Sequence, residues 1–161
     1  MIETVFENIV KNTAAAYGNN IFCHIGNSNN IAHELKTLST LNVKRFPLIA
    51  FMRPFRIKEY SAYYDVTVRR IAIATATVLK DSEKKKIETN FNDVLRPILA
   101  QFKIVINEDK NILVGVHGIE LNVEDMPYFN QGLEPKANEQ MDGIVMDNVV
   151  FRIKKSNCNC N

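Results

Sequence analysis

Residues 46–107 read FPLIAFM (46–52), RPFRIKEYSAYY (53–64), DVTVRRIAIATATVL (65–79) and, after Lys80, DSEKKKIETNFNDVLRPILAQF (81–102) and KIVIN (103–107). The first run is a strand with little alternation, which predicts cover on both faces. Pro47 stands near its start, where a missing donor is tolerated. Residues 53–63 read as a polar connection that mixes Arg53, Arg56 and Lys58 with Phe55, Tyr60 and Tyr63. Residues 64–79 form an unusually long strand. Tyr64, Val66 and Val68 share one parity, and beyond Arg69-Arg70 the apolar set moves to Ile71 and Ile73. An offset of one residue implies a bulge, or a strand buried on different faces along its length that can leave one core and reach a neighbour.

Asp81 or Ser82 is a suitable helix N-cap, with Glu83 favourable in the first turn. Ile87, Phe91, Val94, Leu95, Ile98, Leu99 and Phe102 then make a wide apolar stripe. Pro97 is interior and predicts a kink. Lys84, Lys85 and Lys86 are expected to face solvent or a partner, and Lys103–Asn107 to form a short strand.

Outward from this unit, Ile2, Val5, Phe6, Ile9 and Val10 recur at helical spacing and predict a helix over 2–16, stopped by Gly18-Asn19-Asn20. Residues 21–25 read as a strand, 26–30 as a turn, and 31–39 as weakly helical. Residues 108–111 form a turn. Residues 112–121 are strand-like, interrupted by Gly115 and Gly118. The stretch NVEDMPYFNQGLEPKANEQM (122–141) holds few apolar positions, and a loop of that length is expected to be functional or partner-bound. GIVMDNVVFRIK (143–154) closes the fold as a strand or hairpin. The fold class is therefore α+β: a single, mostly antiparallel sheet with a long central strand, packed by an N-terminal helix and a second long helix at about residues 82–102. One domain covers 1–154, and a flexible polar tail covers 155–161.

The 161 residues carry 20 basic and 18 acidic side chains, for a net charge of +2, and 46% are apolar. One core fits this length. The charge balance argues against wholesale nucleic-acid coating. No apolar run is long enough to span a bilayer, and MIETVFENIV lacks the basic-then-apolar pattern of a signal peptide. Three cysteines, with Cys23 in the apolar run IFCHI, do not make a disulfide framework and suit a reducing cytoplasm.

Reactive constellations are weak. Cys23 and His24 are adjacent on a predicted strand and point to opposite faces, which disfavours a nucleophilic or zinc centre. His33-Glu34 lacks metal-protease spacing, and His117-Gly118 marks a turn or bulge. Cys158 and Cys160 alone do not close a tetrahedral site. Glu120, Glu124, Asp125, Asp142 and Asp147 have no EF-hand spacing and read as solvated carboxylates. No phosphate-loop, dinucleotide or nucleophile-elbow motif is present. No catalytic residue, metal site or cofactor is assigned, and the chain is read as a non-enzyme.

The interleaved basic and aromatic side chains of 53–64 suit a protein interface, where arginine and tyrosine are enriched. The alternative is a module binding single-stranded nucleic acid by stacking and charge. The interface candidates are Arg53, Phe55, Arg56, Lys58, Tyr60, Tyr63, Tyr64, Arg69 and Arg70, joined by Met126, Tyr128 and Phe129 of the long loop.

The N-terminal helix, FPLIAFMRPF (46–55), the hairpin into DVTVRRIAIATATV (65–78), FNDVLRPILAQF (91–102) and DGIVMDNVVFRIK (142–154) occur in an order that resembles tailed-bacteriophage neck proteins: tail-terminator, tail-completion and head–tail connector ring subunits. The resemblance covers residues 1–154 and rests on apolar and turn patterns; the CNCN tail departs from it. It implies a virion structural protein without catalytic residues, assembled in the host bacterial cytoplasm. It implies a homo-oligomeric ring, sixfold or twelvefold, between portal or connector proteins and tail proteins. Genomic DNA passing through such a ring would meet arginines of the candidate set, with Lys84, Lys85 and Lys86 as further channel contacts. No membrane is involved.

Overall fold

The computed structural model describes residues 2–27, 46–77, 82–127 and 141–155. The expected helix over 31–39, Tyr128, Phe129 and the tail cysteines lie outside these residues. Helix α1 (Ile2–Tyr17) is followed by β1 (Phe22–Gly26), β2 (Leu48–Glu59) and β3 (Tyr63–Ala76). A helical rod comes next: α2 (Glu83–Lys86), a π-wound segment (Ile87–Leu95) and α3 (Arg96–Glu108). Strands β4 (Val123–Met126) and β5 (Met141–Lys154) complete the chain.

The strands make one five-stranded sheet in the order β1-β2-β3-β5-β4. Only β1–β2 is parallel; the other pairs are antiparallel. The expected α+β class with a long central strand is present. Strand β3 has fourteen residues, a span of roughly 43 Å at about 3.3 Å per residue.

Alternation decides which side chains meet the helices. Ile49 and Phe51 of β2, Val66, Val68, Ile71 and Ile73 of β3, and Ile144, Met146, Val149, Phe151 and Ile153 of β5 face one core. That core is closed by Val5, Phe6, Ile9 and Val10 of α1 and by Phe91, Leu95, Ile98, Phe102 and Ile106 of the rod. Phe6 is its centre. Its ring stacks on Phe51 at 4.4 Å and meets Phe151 at 5.2 Å and Phe55 at 5.5 Å edge-on. The opposite face has a smaller buried cluster of Leu48, Ala50, Met52, Ala72, Ala74, Met141 and Val145.

Helix α1 ends where its glycine requires it. Gly18 has a φ of 82°, and its N–H donates to the Ala14 carbonyl at 2.9 Å, a left-handed stop that glycine adopts without a Cβ penalty. Ser82 caps the rod, its Oγ accepting from the Lys85 N–H. The disturbance expected at Pro97 is a change of winding. The Arg96 N–H reaches the Phe91 carbonyl, five residues back, and Pro97, which has no N–H, stands just after the π-wound segment in the first turn of α3.

Five expectations are corrected. Residues 53–59 continue β2 as strand, and only Ser61-Ala62 separate the Tyr60 N–H···O Tyr63 bond, at 2.9 Å, from the next strand. Residues 103–107 are helix, since Phe102 and Ile106 extend the buried stripe of α3 and packing on α1 overrides the β-branched run. Within 112–121 only Ile112 bridges, to Ile153. Gly118, at φ 81° and bonded back to Gly115, turns the chain away. Of the long loop, Val123–Met126 pairs with β5 as an edge strand. Finally, Lys155 is anchored rather than part of a loose tail: its N–H donates to the Ala62 carbonyl and its Nζ to Glu59 at 2.6 Å.

Phe6 is fully buried, so Phe6→Ala is expected to lower unfolding free energy by about 3–5 kcal/mol, or roughly 6–20 °C in melting temperature for a domain of this size. Half-buried Phe55→Ala should cost clearly less. Thermal unfolding followed by circular dichroism checks both.

Candidate interaction surfaces

The three long strands share one irregularity. Along β2 the inward Phe51 and Phe55 are four positions apart, an even step that keeps the alternation; along β3 and β5 the inward pairs Val68/Ile71 and Met146/Val149 are three positions apart. The extra β2 residue lies at Arg53-Pro54, where the β2–β3 register shifts. In β5 the offset falls at Asp147-Asn148, with Asn148 at φ 55°, a conformation asparagine tolerates better than most residues. The β3–β5 register stays constant because both strands offset together. The predicted offset at Arg69-Arg70 is therefore a bulge-like kink, and β3 remains in one core instead of leaving it.

The kink turns neighbouring polar side chains onto the sheet face away from the helices. Arg70 forks onto Asp147, Nε–Oδ1 at 2.7 Å and a second bond at 2.8 Å. Arg152 forks onto Asp65 at 2.8 and 3.1 Å and lies 4.5 Å over the Tyr63 ring. Tyr60 stacks on Tyr63 at 4.6 Å. Across the strands Arg56 pairs with Thr67, Lys58 with Asp65 and Tyr63 with Lys154. This half of the face thus presents Arg56, Lys58, Arg69, Arg152 and Lys154. The hydrogen bond from Arg70 first, then its charge and that of Arg69, hold the Asp147 carboxyl below its ordinary value against the opposing effect of burial. Arg152 does the same for Asp65, with a contribution from Lys58.

A second surface is an edge. Strand β1 covers β2 only from Leu48 to Met52. Beyond it, among the described residues, no strand pairs with the outer side of residues 53–59. The Tyr60–Tyr63 bond fixes the antiparallel alternation, so Phe55, Ile57 and Glu59 direct their N–H and C=O groups outward. The opposite edge obeys the same phase: Leu113 N–H donates to the Arg152 carbonyl and Lys154 N–H to the Asn111 carbonyl, both at 2.8 Å. Beside the open edge, on the helix side, a recess of about 370 Å³ is lined by Ile2, Glu3, Asn27, Arg53, Pro54, Phe55 and Ile57. Ile57 is 52% exposed, and Arg53 is ion-paired with Glu3 and lies 5.1 Å over the Phe55 ring.

The candidate residues separate accordingly. Arg56, Lys58, Tyr60, Tyr63, Arg69 and Arg70 lie on the face. Arg53 lies on the helix side. Phe55 and Tyr64 pack against the core, and Met126 packs against the smaller cluster. Lys86 is buried, 4% exposed, because the rod winding puts it on the side of Asn90 and Phe91; only Lys84 and Lys85 are exposed. Arg152 and Lys154 escaped the sequence reading, although alternation with Val149, Phe151 and Ile153 marks them as outward. Cys23 packs against the main core while His24 pairs with Ala50 of the opposite cluster, so the two diverge. Asp125 is held by Arg96 at 2.5 Å and Asp142 is buried beside Asn90. Among the described residues no group of three or more metal-ligating side chains forms, and no helix is long and apolar enough to cross a membrane.

A double-mutant cycle on Arg70→Ala and Asp147→Ala should give a coupling of about 0.5–1 kcal/mol at neutral pH, the upper end for a partly exposed pair. Because the folded Asp147 value is depressed, this contribution is present above its ordinary 3.8 and disappears as pH falls through the folded value. Urea unfolding across an acid series reads it. No family model matches the chain, and no curated protein or solved structure matches it either.

Proposed function

We propose that this chain is a non-enzymatic structural subunit of a tailed-bacteriophage virion, acting as a tail-terminator or connector ring at the head–tail junction. Copies assemble in the bacterial cytoplasm into a closed sixfold or twelvefold ring that joins portal or connector proteins to the tail and stops tail growth. The observation that carries this reading is the outer side of β2 over residues 53–59, which no strand among the described residues pairs with. Three outward backbone pairs beside an apolar recess suit strand addition, in which main-chain bonds supply affinity and a pocket takes an alternate side chain. Pro54 and Lys58 guard part of this edge, yet Phe55, Ile57 and Glu59 still offer outward N–H and C=O groups to a partner strand. If the edge meets a different surface on the next copy, the contact is heterologous, and such a contact forms a ring where the rotation between copies closes. The order of elements that resembles neck proteins supplies the virion context.

The alternative, a single-stranded nucleic-acid module on residues 53–64, draws on Arg56, Lys58, Tyr60 and Tyr63 sharing one face. It leaves the open edge unexplained, and Phe55 and Tyr64 turn inward, where they cannot stack on bases.

Light scattering and negative-stain imaging of the full chain test the assembly. The expected species is an annulus of uniform mass, an integral multiple of the subunit. Ile57→Pro removes only an outward N–H, as edge strands tolerate, and Ile57→Lys adds an edge charge. Both variants should keep the melting temperature of the dissociated subunit and lose the annulus. A wild-type chain that stays monomeric at high concentration, with or without tail-tube protein as template, contradicts the reading.

A further inference from the structure

At the three-strand kink lies a recess of about 420 Å³ lined by Pro54, Arg56, Thr67, Arg69 and Asn148. Arg56 and Thr67 are cross-strand partners, while Arg69 and Asn148 are brought in by the offsets in β3 and β5. Both arginines are exposed. The carboxylates of the same sheet face, Asp147 on β5 and Asp65 on β3, are engaged by Arg70 and Arg152. Neither Arg56 nor Arg69 forms an ion pair among the described residues, although the Arg69 charge acts on Asp147 from a distance. Two guanidinium forks held around a hydroxyl and an amide form a donor-rich concavity suited to a tetrahedral oxyanion.

The surroundings choose between a lone anion and a polymer. Lys58 continues from Arg56 along β2, about 7 Å away at the two-residue repeat of a strand, and Lys154 extends the cations onto β5. A single carboxylate or free phosphate fills the recess alone; a sugar–phosphate chain, with a charge on every nucleotide, follows the whole line. We infer that the recess binds a phosphate of a nucleic-acid backbone, gripped by Arg56 and Arg69, with Lys58 meeting the next phosphate and Lys154, near the hairpin end of the sheet, one further along the backbone. Arg70 and Arg53, tied to Asp147 and Glu3, stand outside the site, as do Lys84 and Lys85 on the helical rod. Such a site contacts the backbone and reads no bases. It needs neither the ring nor the open edge, since every lining residue comes from one subunit.

Fluorescence anisotropy of a labelled duplex of about 20 base pairs, and of its single strand, tests the site with the full chain between roughly 50 and 200 mM salt. Four backbone cations predict a log–log salt slope near −3.6 for the duplex, at about 0.9 per contact. The pair Arg56→Ala/Arg69→Ala should weaken binding by roughly tenfold or more and flatten the slope by about 2. Arg56→Lys/Arg69→Lys should keep the slope, and Lys84→Ala/Lys85→Ala should change neither quantity. The inference is overturned if neither probe binds, if the alanine pair binds as wild type does, if Lys84→Ala/Lys85→Ala is the pair that loses binding, or if polyglutamate of equal charge displaces the duplex equally well. Light scattering on the same samples separates the two readings. An annulus without binding removes this site and leaves the ring; binding by a strict monomer keeps the site and counts against the ring.

Discussion

The one-residue offset common to β3 and β5, matched by a register shift in β2, is the constraint on which the rest of the molecule depends. A strand as long as β3 cannot stay straight and keep one face on a compact core, because sheets twist and the helices cover only part of their length. One additional residue at Arg53-Pro54, with matching offsets at Arg69-Arg70 and Asp147-Asn148, bends the three strands together. Val66 and Val68 then join Ile71 and Ile73 under the same helices, although their sequence parity differs. Phe6 fixes the result by contacting Phe51 before the offset and Phe55 and Phe151 beyond it.

The same bend divides the far face of the sheet. Above it, Leu48, Ala50, Met52, Ala72, Ala74 and Val145 are buried and apolar. Below it, the outward positions are Arg56, Lys58, Thr67, Arg69, Arg152 and Lys154, with β1 no longer covering β2. A basic face and an open edge thus occur in the same half of the sheet, for one geometric reason. The edge is shielded by features that also limit what can pair there. Pro54 has no donor, and Lys58 places a charge beside the ladder.

Much of this was legible from periodicity. The α1 stripe and its Gly18 stop, the long strand, and the offset at Arg69-Arg70 follow from the order of apolar residues alone. The failures have physical causes. KIVIN looks like a strand because its residues are β-branched, yet Ile106 continues a helical stripe begun far upstream at Phe91, and contact with α1 decides the matter. RPFRIKEYSAYY looks like a connection because most of its residues are exposed and only Phe55 and Tyr64 pack inward; a strand running past the cover of β1 has little else to bury. The lysine run reads as solvated, but π winding turns Lys86 beneath the rod. The cationic face could not be assembled from any single stretch, since Arg56 and Arg69 meet only through strand register and Lys154 joins the same face from β5.

Hydrogen exchange resolved to the amides of Phe55, Ile57 and Glu59 tests most directly whether the open edge is where copies join. In the assembled particle these three amides should exchange far more slowly than in the dissociated subunit, while those of Arg56 and Lys58, already bonded to β3, change little. Rapid exchange at all three positions within an intact assembly would show that the subunits are held together elsewhere.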